Sequence, residues 1–194
     1  KTHDKRFILR IASDSDCRRG QQPMPYGRDR WLFDYGVRNA SLIAAQTEQQ
    51  RTLLASSYGV DSEILNIAVE VPATPAAPGK DFDVVWVGNF RRVKRPELAL
   101  ELARRLPQYR FAIVGGSVPG GDRYFARIAA EAKALPNVVM TGGLPYPAVA
   151  AWFDRSHVHV NTSDYEGFPN TFLQAWVRAL PVASFFDPDR LIQR

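Results

Sequence analysis

The sequence predicts an α/β protein built from parallel sheets with helices on both faces, and three observations carry that prediction. From residue 83 to residue 185, short apolar runs rich in β-branched residues alternate with segments of helical periodicity, joined by short polar or glycine-containing loops. The same order occurs before residue 70, so two sheets are expected. Between them, residues 71–79 contain three prolines, which make a stiff extended connector and the best domain boundary.

Taken in order, residues 6–12 read as a strand, 28–39 as a helix and 41–45 as a strand. Thr47 is placed to cap a helix over 48–58, with Leu53, Leu54 and Tyr58 on one side and Gly59 as its stop. A strand over 63–69 precedes the connector. Beyond it come strand 83–87, helix 96–106, strand 110–114, helix 122–134, strand 137–141, helix 147–155, strand 157–161, helix 170–179 and strand 181–185. In parallel sheets of this kind ligands bind beyond the carboxyl ends of the strands, which directs attention to the loops after Val87, Val114, Thr141 and Asn161.

Composition narrows the class. The 194 residues are 45% hydrophobic and 23% charged, enough for one core or two small ones and far from a disordered composition. The longest apolar runs fall well short of the roughly 20 residues that span a bilayer. Residues 1–6 lack the apolar run of a signal peptide, and Cys17 is the single cysteine, so no intrachain disulfide can form and a cytoplasmic setting, at most on the inner face of a membrane, is expected. The net charge of +5 comes mainly from the second half, and neither a basic helix nor an aromatic-studded basic strand accompanies it. Nucleic acid is therefore not expected as a partner; small anionic ligands or an anionic membrane surface fit the charge better. The chain opens on what reads as an interior strand and stops as a new segment begins, so a fragment of a larger enzyme, incomplete at both ends, is expected.

Two loops carry chemistry. In Val87-Gly88-Asn89-Phe90-Arg91-Arg92-Val93-Lys94-Arg95-Pro96, four cations surround the passage from a strand end to a helix beginning with proline. Free helix N–H groups, the positive dipole end and the cations suit a phosphate or diphosphate; the alternative is a solvated basic loop. No G-x-G-x-x-G or Walker pattern supports a dehydrogenase or a P-loop enzyme. The second loop, Glu166-Gly167-Phe168-Pro169-Asn170, runs into the helix starting Thr171-Phe172. Gly167 permits close backbone approach, Pro169 stiffens the turn, and the Glu166 carboxylate can accept from sugar hydroxyls or simply favour the helix dipole.

These motifs together resemble the C-terminal domain of group 1 (family four) retaining glycosyltransferases with the GT-B fold. The resemblance rests on Val87-Gly88, residues 101–107, Phe111-Ala-Ile-Val-Gly-Gly116, Val139-Met-Thr-Gly142, Glu166-Gly-Phe-Pro-Asn170 and Leu180-Pro-Val182. Residues 41–72 resemble the end of the N-terminal domain of that family. The resemblance implies residues 1–72 as part of the acceptor-side domain, 73–80 as linker and 81–194 as the Rossmann-like donor domain. It implies sugar transfer from a nucleotide-diphosphate sugar to a sugar or glycolipid acceptor, with no cofactor and no metal, in cell-surface polysaccharide or glycolipid assembly.

Position by position, it implies that Lys94 contacts the donor diphosphate and that Gly88 belongs to the donor site. Asn89 stands where the family often has arginine, which leaves the second cation to Arg91 or Arg92. Backbone at Thr141 and Gly142 is expected to line the base. Glu166 is expected beside the donor sugar, with the backbone of Gly167, Phe168, Pro169, Asn170 and Thr171 facing sugar and phosphate. Gln174 replaces the glutamate that holds the ribose hydroxyls, and its neutral hydrogen bonds are about half as strong as charge-assisted ones. Peripheral membrane contact would fall mostly to the N-terminal part outside the chain. The alternatives are a degenerate, non-catalytic sugar-nucleotide module and a GT-B epimerase.

Lesser candidates have plainer expectations. His157 and His159 alternate on one strand; with no third ligand in sequence reach they are expected in the core or facing the other domain, the alternative being a metal site. Asp14 and Asp16 are expected as solvated loop residues, the alternative being that they face the interdomain cleft. Trp152, Phe153 and Trp176 are expected as core, and the sequons at Asn39 and Asn161 abut buried strands.

Overall fold

The structure, a computed structural model, describes residues 5–72 and 79–192. The proline connector lies largely outside the described residues. Contacts divide the chain into two compact units. The first runs to Ala68 and also takes in Tyr165–Phe168 and the segment from Pro188; the second comprises Val69–Asp164 and Pro169–Asp187.

In the first unit β1 (Ile8–Arg10), β2 (Leu42–Ala45) and β3 (Glu63–Ile64) form a parallel sheet in the order β1-β2-β3. Helices α1 (Gly27–Asn39) and α2 (Glu48–Tyr58) supply Val37 and Leu54 to a core with Ile11, Cys17, Ile43 and Ala45. Leu53 and Tyr58 pack against it, as the helical spacing requires. Thr47 accepts from the Gln50 amide and Gly59 closes α2 at φ 66°, so both ends of that helix follow their sequence signals. The Asp189 carboxylate also accepts from the amides of Glu48 and Gln49, at 2.9 and 3.2 Å. The strand expected over 63–69 is cut to two residues for a physical reason. Its neighbour β2 ends at Ala45 because Gln46 and Thr47 turn away to start α2, so the Leu65 amide makes the last ladder bond, to Ala45 O.

The second unit is a five-stranded parallel sheet in the order β6-β5-β4-β7-β8. Its strands are β4 (Phe82–Val87), β5 (Phe111–Val114), β6 (Val138–Met140), β7 (Ser156–Asn161) and β8 (Val182–Ser184). Its helices are α3 (Pro96–Arg105), α4 (Asp122–Lys133), α5 (Tyr146–Asp154) and α6 (Asn170–Trp176). Alternate residues of the central strand feed opposite cores. Val85 packs with Ala112, Val114, Phe153, Ala175 and Leu180, while Trp86 packs with Phe90, Leu100, Ile113 and Ile128. Helices cover both faces of this sheet, as expected.

Three expectations in this unit need correction. The last helix stops at Trp176, three residues early, because Ala179 adopts φ 53° and Pro181 disfavours helix in the residue before it. Trp176 is exposed, not core, since the buried face of so short a helix is filled by Phe172 and Ala175. His157 is also exposed at the start of β7; only His159 enters the core, its ring between Phe153 and Phe172 and Nδ1 3.0 Å from Val85 O.

Asp14 overturns its expectation outright. It opens a 3-10 turn, Asp14–Cys17, and is buried with Oδ1 accepting from Gln50 Nε2 at 3.1 Å. Asp16 instead accepts from the Ser13 amide as part of a capping box. Burial raises the Asp14 carboxyl above the usual carboxylate range, against the opposing pull of the Gln50 bond and Arg18. A raised folded pKa means that the folded chain favours the protonated acid. Its contribution to stability is present in full below the unfolded value of about 3.9 and is lost as pH rises through the folded value. Asp14→Asn keeps an oxygen for Gln50 and removes that loss, so thermal melts should show a higher Tm than the parent at pH 7 and no gain at pH 3. An equal gain at both pH values would contradict this origin.

Candidate functional site

The strand order of the second unit singles out one place. From β4 the chain moves outward through β5 and β6, then returns to the other side of β4 as β7 and continues to β8. The switch point therefore lies beyond the carboxyl ends of β4 and β7, where open parallel sheets bind ligands. The loops leaving those two ends are the basic loop after Val87 and the loop after Asn161 that leads to Glu166.

The basic loop is braced from one side by glycines. The Gly88 amide donates to Val114 O at 3.0 Å, Phe90 to Gly116 O at 3.0 Å, and Gly115 to Gly142 O at 3.2 Å. Gly115 has φ 149°, and a Cβ there would lie 1.8 Å from Gly88 O, so no side chain fits. Arg92–Lys94 then form a 3-10 turn, and Arg95 caps α3 with φ 45°, a detail absent from the expected direct passage of strand into helix. Pro96 opens α3 as expected.

From the other side the loop is tied to the residues after β7. Thr162 Oγ1 accepts from the buried Trp86 indole N–H at 2.9 Å, and its own proton is shared between Lys94 O and Arg95 O at 2.7 and 2.9 Å. The Asp164 amide donates to Val93 O at 2.9 Å, and Arg95 pairs with the Asp164 carboxylate at 2.9 Å. Arg95 pairs with Asp164, and the Arg92 guanidinium lies over the Tyr124 ring at 5.4 Å. Arg91 and Asn89 are exposed, and Lys94 is half-buried.

The remaining predicted residues fall in two places. Thr141 and Gly142 follow β6, with Thr141 Oγ1 donating to Gly142 O at 2.8 Å and Gly142 at φ 73°. Pro169 caps α6; Asn170 is exposed and Thr171 half-buried at its start, while Gln174 is largely buried and its carbonyl accepts from Arg178 Nη1 at 3.1 Å. All of these belong to the second unit. Glu166, Gly167 and Phe168 belong by their contacts to the first. There Glu166 is half-buried and Gly167 buried, with a Cβ at Gly167 coming within 2.3 Å of Ala12 O. The Phe168 amide donates to Gln46 Oε1 at 2.8 Å.

Sequence reasoning missed Thr162, Asp164, Trp86 and Gln46. Thr162 was visible as the first residue past a strand at a carboxyl end, but Asn161-Thr162-Ser163 also reads as a sequon. Nothing local marks Trp86 or Gln46 as partners, because their bonds span 76 and 122 residues of chain.

With Rossmann-like parallel sheets and a basic loop at the switch point of one of them, the chain has a GT-B-type α/β fold. Residues 70–186 match the family described as Glycosyl transferases group 1, and the chain belongs to that family. Solved structures agree on the fold. HepE from Anabaena in complex with UDP and glucose is 15% identical with a TM-score of 0.75, over 93% of this chain and 52% of that one. A TarM variant from S. aureus, in complex with Fondaparinux, alpha-GlcNAc-glycerol and UDP, is 17% identical with a TM-score of 0.72, over 94% and 37%. Sucrose-phosphate synthase from Thermosynechococcus elongatus is 18% identical with a TM-score of 0.71, over 91% and 49%. The chain spans about half or less of the length of these proteins. No curated protein matches it.

The Thr162 hydroxyl is open to a clean test. Thr162→Val preserves shape but strands the Trp86 indole and two loop carbonyls, at a cost of about 2–3 kcal/mol, whereas Thr162→Ser should cost under about 1 kcal/mol. Urea denaturation of both variants measures this; a loss in Thr162→Ser as large as that in Thr162→Val would contradict a dominant role for the hydroxyl.

Proposed function

We propose that this chain is the donor-binding part of a retaining glycosyltransferase that moves a sugar from a nucleotide-diphosphate sugar to a sugar or glycolipid acceptor. The observation that carries this reading is the basic loop Gly88–Arg95 at the switch point of a sheet whose chain belongs to the group 1 glycosyltransferases. In the proposal residues 81–194 bind the donor, 73–80 link, and residues 1–72 belong to the acceptor side. The UDP seen with HepE and TarM makes a nucleoside diphosphate the natural first ligand to try.

Departure of the diphosphate takes the electron pair of the anomeric C–O bond, and the growing negative charge needs preorganised positive partners. Lys94 and Arg91 supply them in this reading, from a loop whose Gly88 and Phe90 amides are held by Val114 O and Gly116 O. Arg92 is the weaker candidate because its guanidinium lies over Tyr124. Glu166 accepts from the donor sugar hydroxyls, and the backbone from Gly167 to Thr171 faces sugar and phosphate. Thr141 and Gly142 border the base. The acceptor oxygen attacks from the face that the phosphate leaves, and the phosphate takes its proton, so no separate base is required of this chain. Gln174 contacts the ribose through neutral hydrogen bonds. Cell-surface polysaccharide or glycolipid assembly is the setting proposed. With much of the acceptor side outside it, the chain alone is expected to bind donor but not to transfer.

Thermal shift against UDP, GDP, ADP and CMP tests the donor site. A ligand at 100 times its Kd adds about 2.7 kcal/mol, or roughly 5–10 °C for a chain of this size. One nucleotide should give that shift in the parent, Lys94→Ala should abolish most of it, and Gln174→Glu should tighten binding about fivefold. A flat response to all four nucleotides would contradict the proposal.

A further inference from the structure

The turn that carries Glu166 is held by a residue outside every site considered so far. Gln46 follows β2, and its carboxamide works at both ends. Nε2 donates to Ile11 O at 2.8 Å, and Oε1 accepts from the Phe168 amide at 2.8 Å. Its own backbone amide donates to Gln50 Oε1 at 2.9 Å, and the other end of the fully buried Gln50 side chain donates to Asp14. A chain of bonds therefore runs from the buried Asp14 carboxyl through Gln50 and Gln46 to the Phe168 amide. Gly167 lies against the same strut. A Cβ there would sit 2.8 Å from Gln46 Oε1 and 3.0 Å from Gln50 Nε2, besides its overlap with Ala12 O. The turn is thus seated on Gln46 by one hydrogen bond and by the absence of a side chain.

We infer that Gln46 is a positioning residue for Glu166: its carboxamide joins the end of β1 to the Phe168 amide and thereby sets where the Glu166-Gly167-Phe168 turn presents its carboxylate. The inference rests on the role proposed for Glu166 above. The chemistry is specific to a carboxamide. Only that group offers an acceptor to an N–H and a donor to a C=O from one planar end at this length. Glutamate keeps the acceptor but turns lone pairs toward Ile11 O, and methionine keeps the volume with neither. Because the contact fixes orientation and touches no donor atom, its loss should spare diphosphate binding and degrade handling of the sugar.

Amide hydrogen exchange on the parent, Gln46→Met and Gln46→Glu decides the matter. In Gln46→Met the Phe168 amide should exchange about threefold to tenfold faster, while amides late in α2, such as that of Tyr58, stay as slow as in the parent. Gln46→Glu, which keeps an acceptor for the Phe168 amide but sets its carboxylate against Ile11 O, should restore only part of the Phe168 protection. UDP should shift the melting temperature of the Met variant as in the parent, whereas the extra stabilisation from UDP-glucose over UDP should shrink. Unchanged Phe168 exchange in Gln46→Met would overturn the inference, and so would faster exchange spread through all of α2, which would make Gln46 only a support of that helix. A parent that binds no UDP would remove the donor-site proposal but leave the exchange result to decide this one.

Discussion

The hydroxyl of Thr162 is the tie on which the candidate site depends. Trp86 brings its indole N–H from the central strand, Lys94 and Arg95 bring their carbonyls from the basic loop, and one small oxygen satisfies all three. A buried indole without an acceptor and carbonyls without a donor would each cost more than the bond is worth, so the arrangement is held by the penalty of breaking it. The glycine contacts on the opposite side complete the frame. With Gly88 O pressed against Gly115, the loop has one path out of β4. Electrostatics then acts on a preformed shape: a flexible loop with the same charges would lose much of its grip to ordering entropy.

Charge count alone misjudges such a loop. Four cations in eight residues look like a single anion trap, yet Arg95 is committed to Asp164 and Arg92 to an aromatic face. They build the platform, while Lys94 and Arg91 are the ligands proposed for phosphate. The division follows from the 3-10 turn and the left-handed Arg95, which point successive side chains in different directions.

Much of this was legible in the sequence because local rules suffice for it. Thr47 and Gly59 mark the ends of α2, Pro96 marks the start of α3, and alternating apolar residues mark β4, since each depends on residues within one turn or one strand. What was not legible depends on partners far along the chain. The strand from Glu63 reads as seven residues by propensity, but its length is set by where β2 departs. Asp14 reads as a loop acid, and only the approach of Gln50 gives it a buried place. The tie from Gln46 to Phe168 spans two segments that the sequence treats as separate. The candidate site divides in the same way: the motif residues of the two loops were visible, whereas the threonine and the glutamine that hold those loops were not.

The central claim is that the loop after β4 is the seat of the donor diphosphate. Backbone NMR of the chain titrated with UDP tests it most directly. The account predicts saturable shift changes concentrated in Gly88, Asn89 and Arg91 to Lys94, with smaller ones at Thr141 and Gly142. Shifts confined to other surfaces, with the Gly88–Lys94 amides unmoved at saturating UDP, would contradict it.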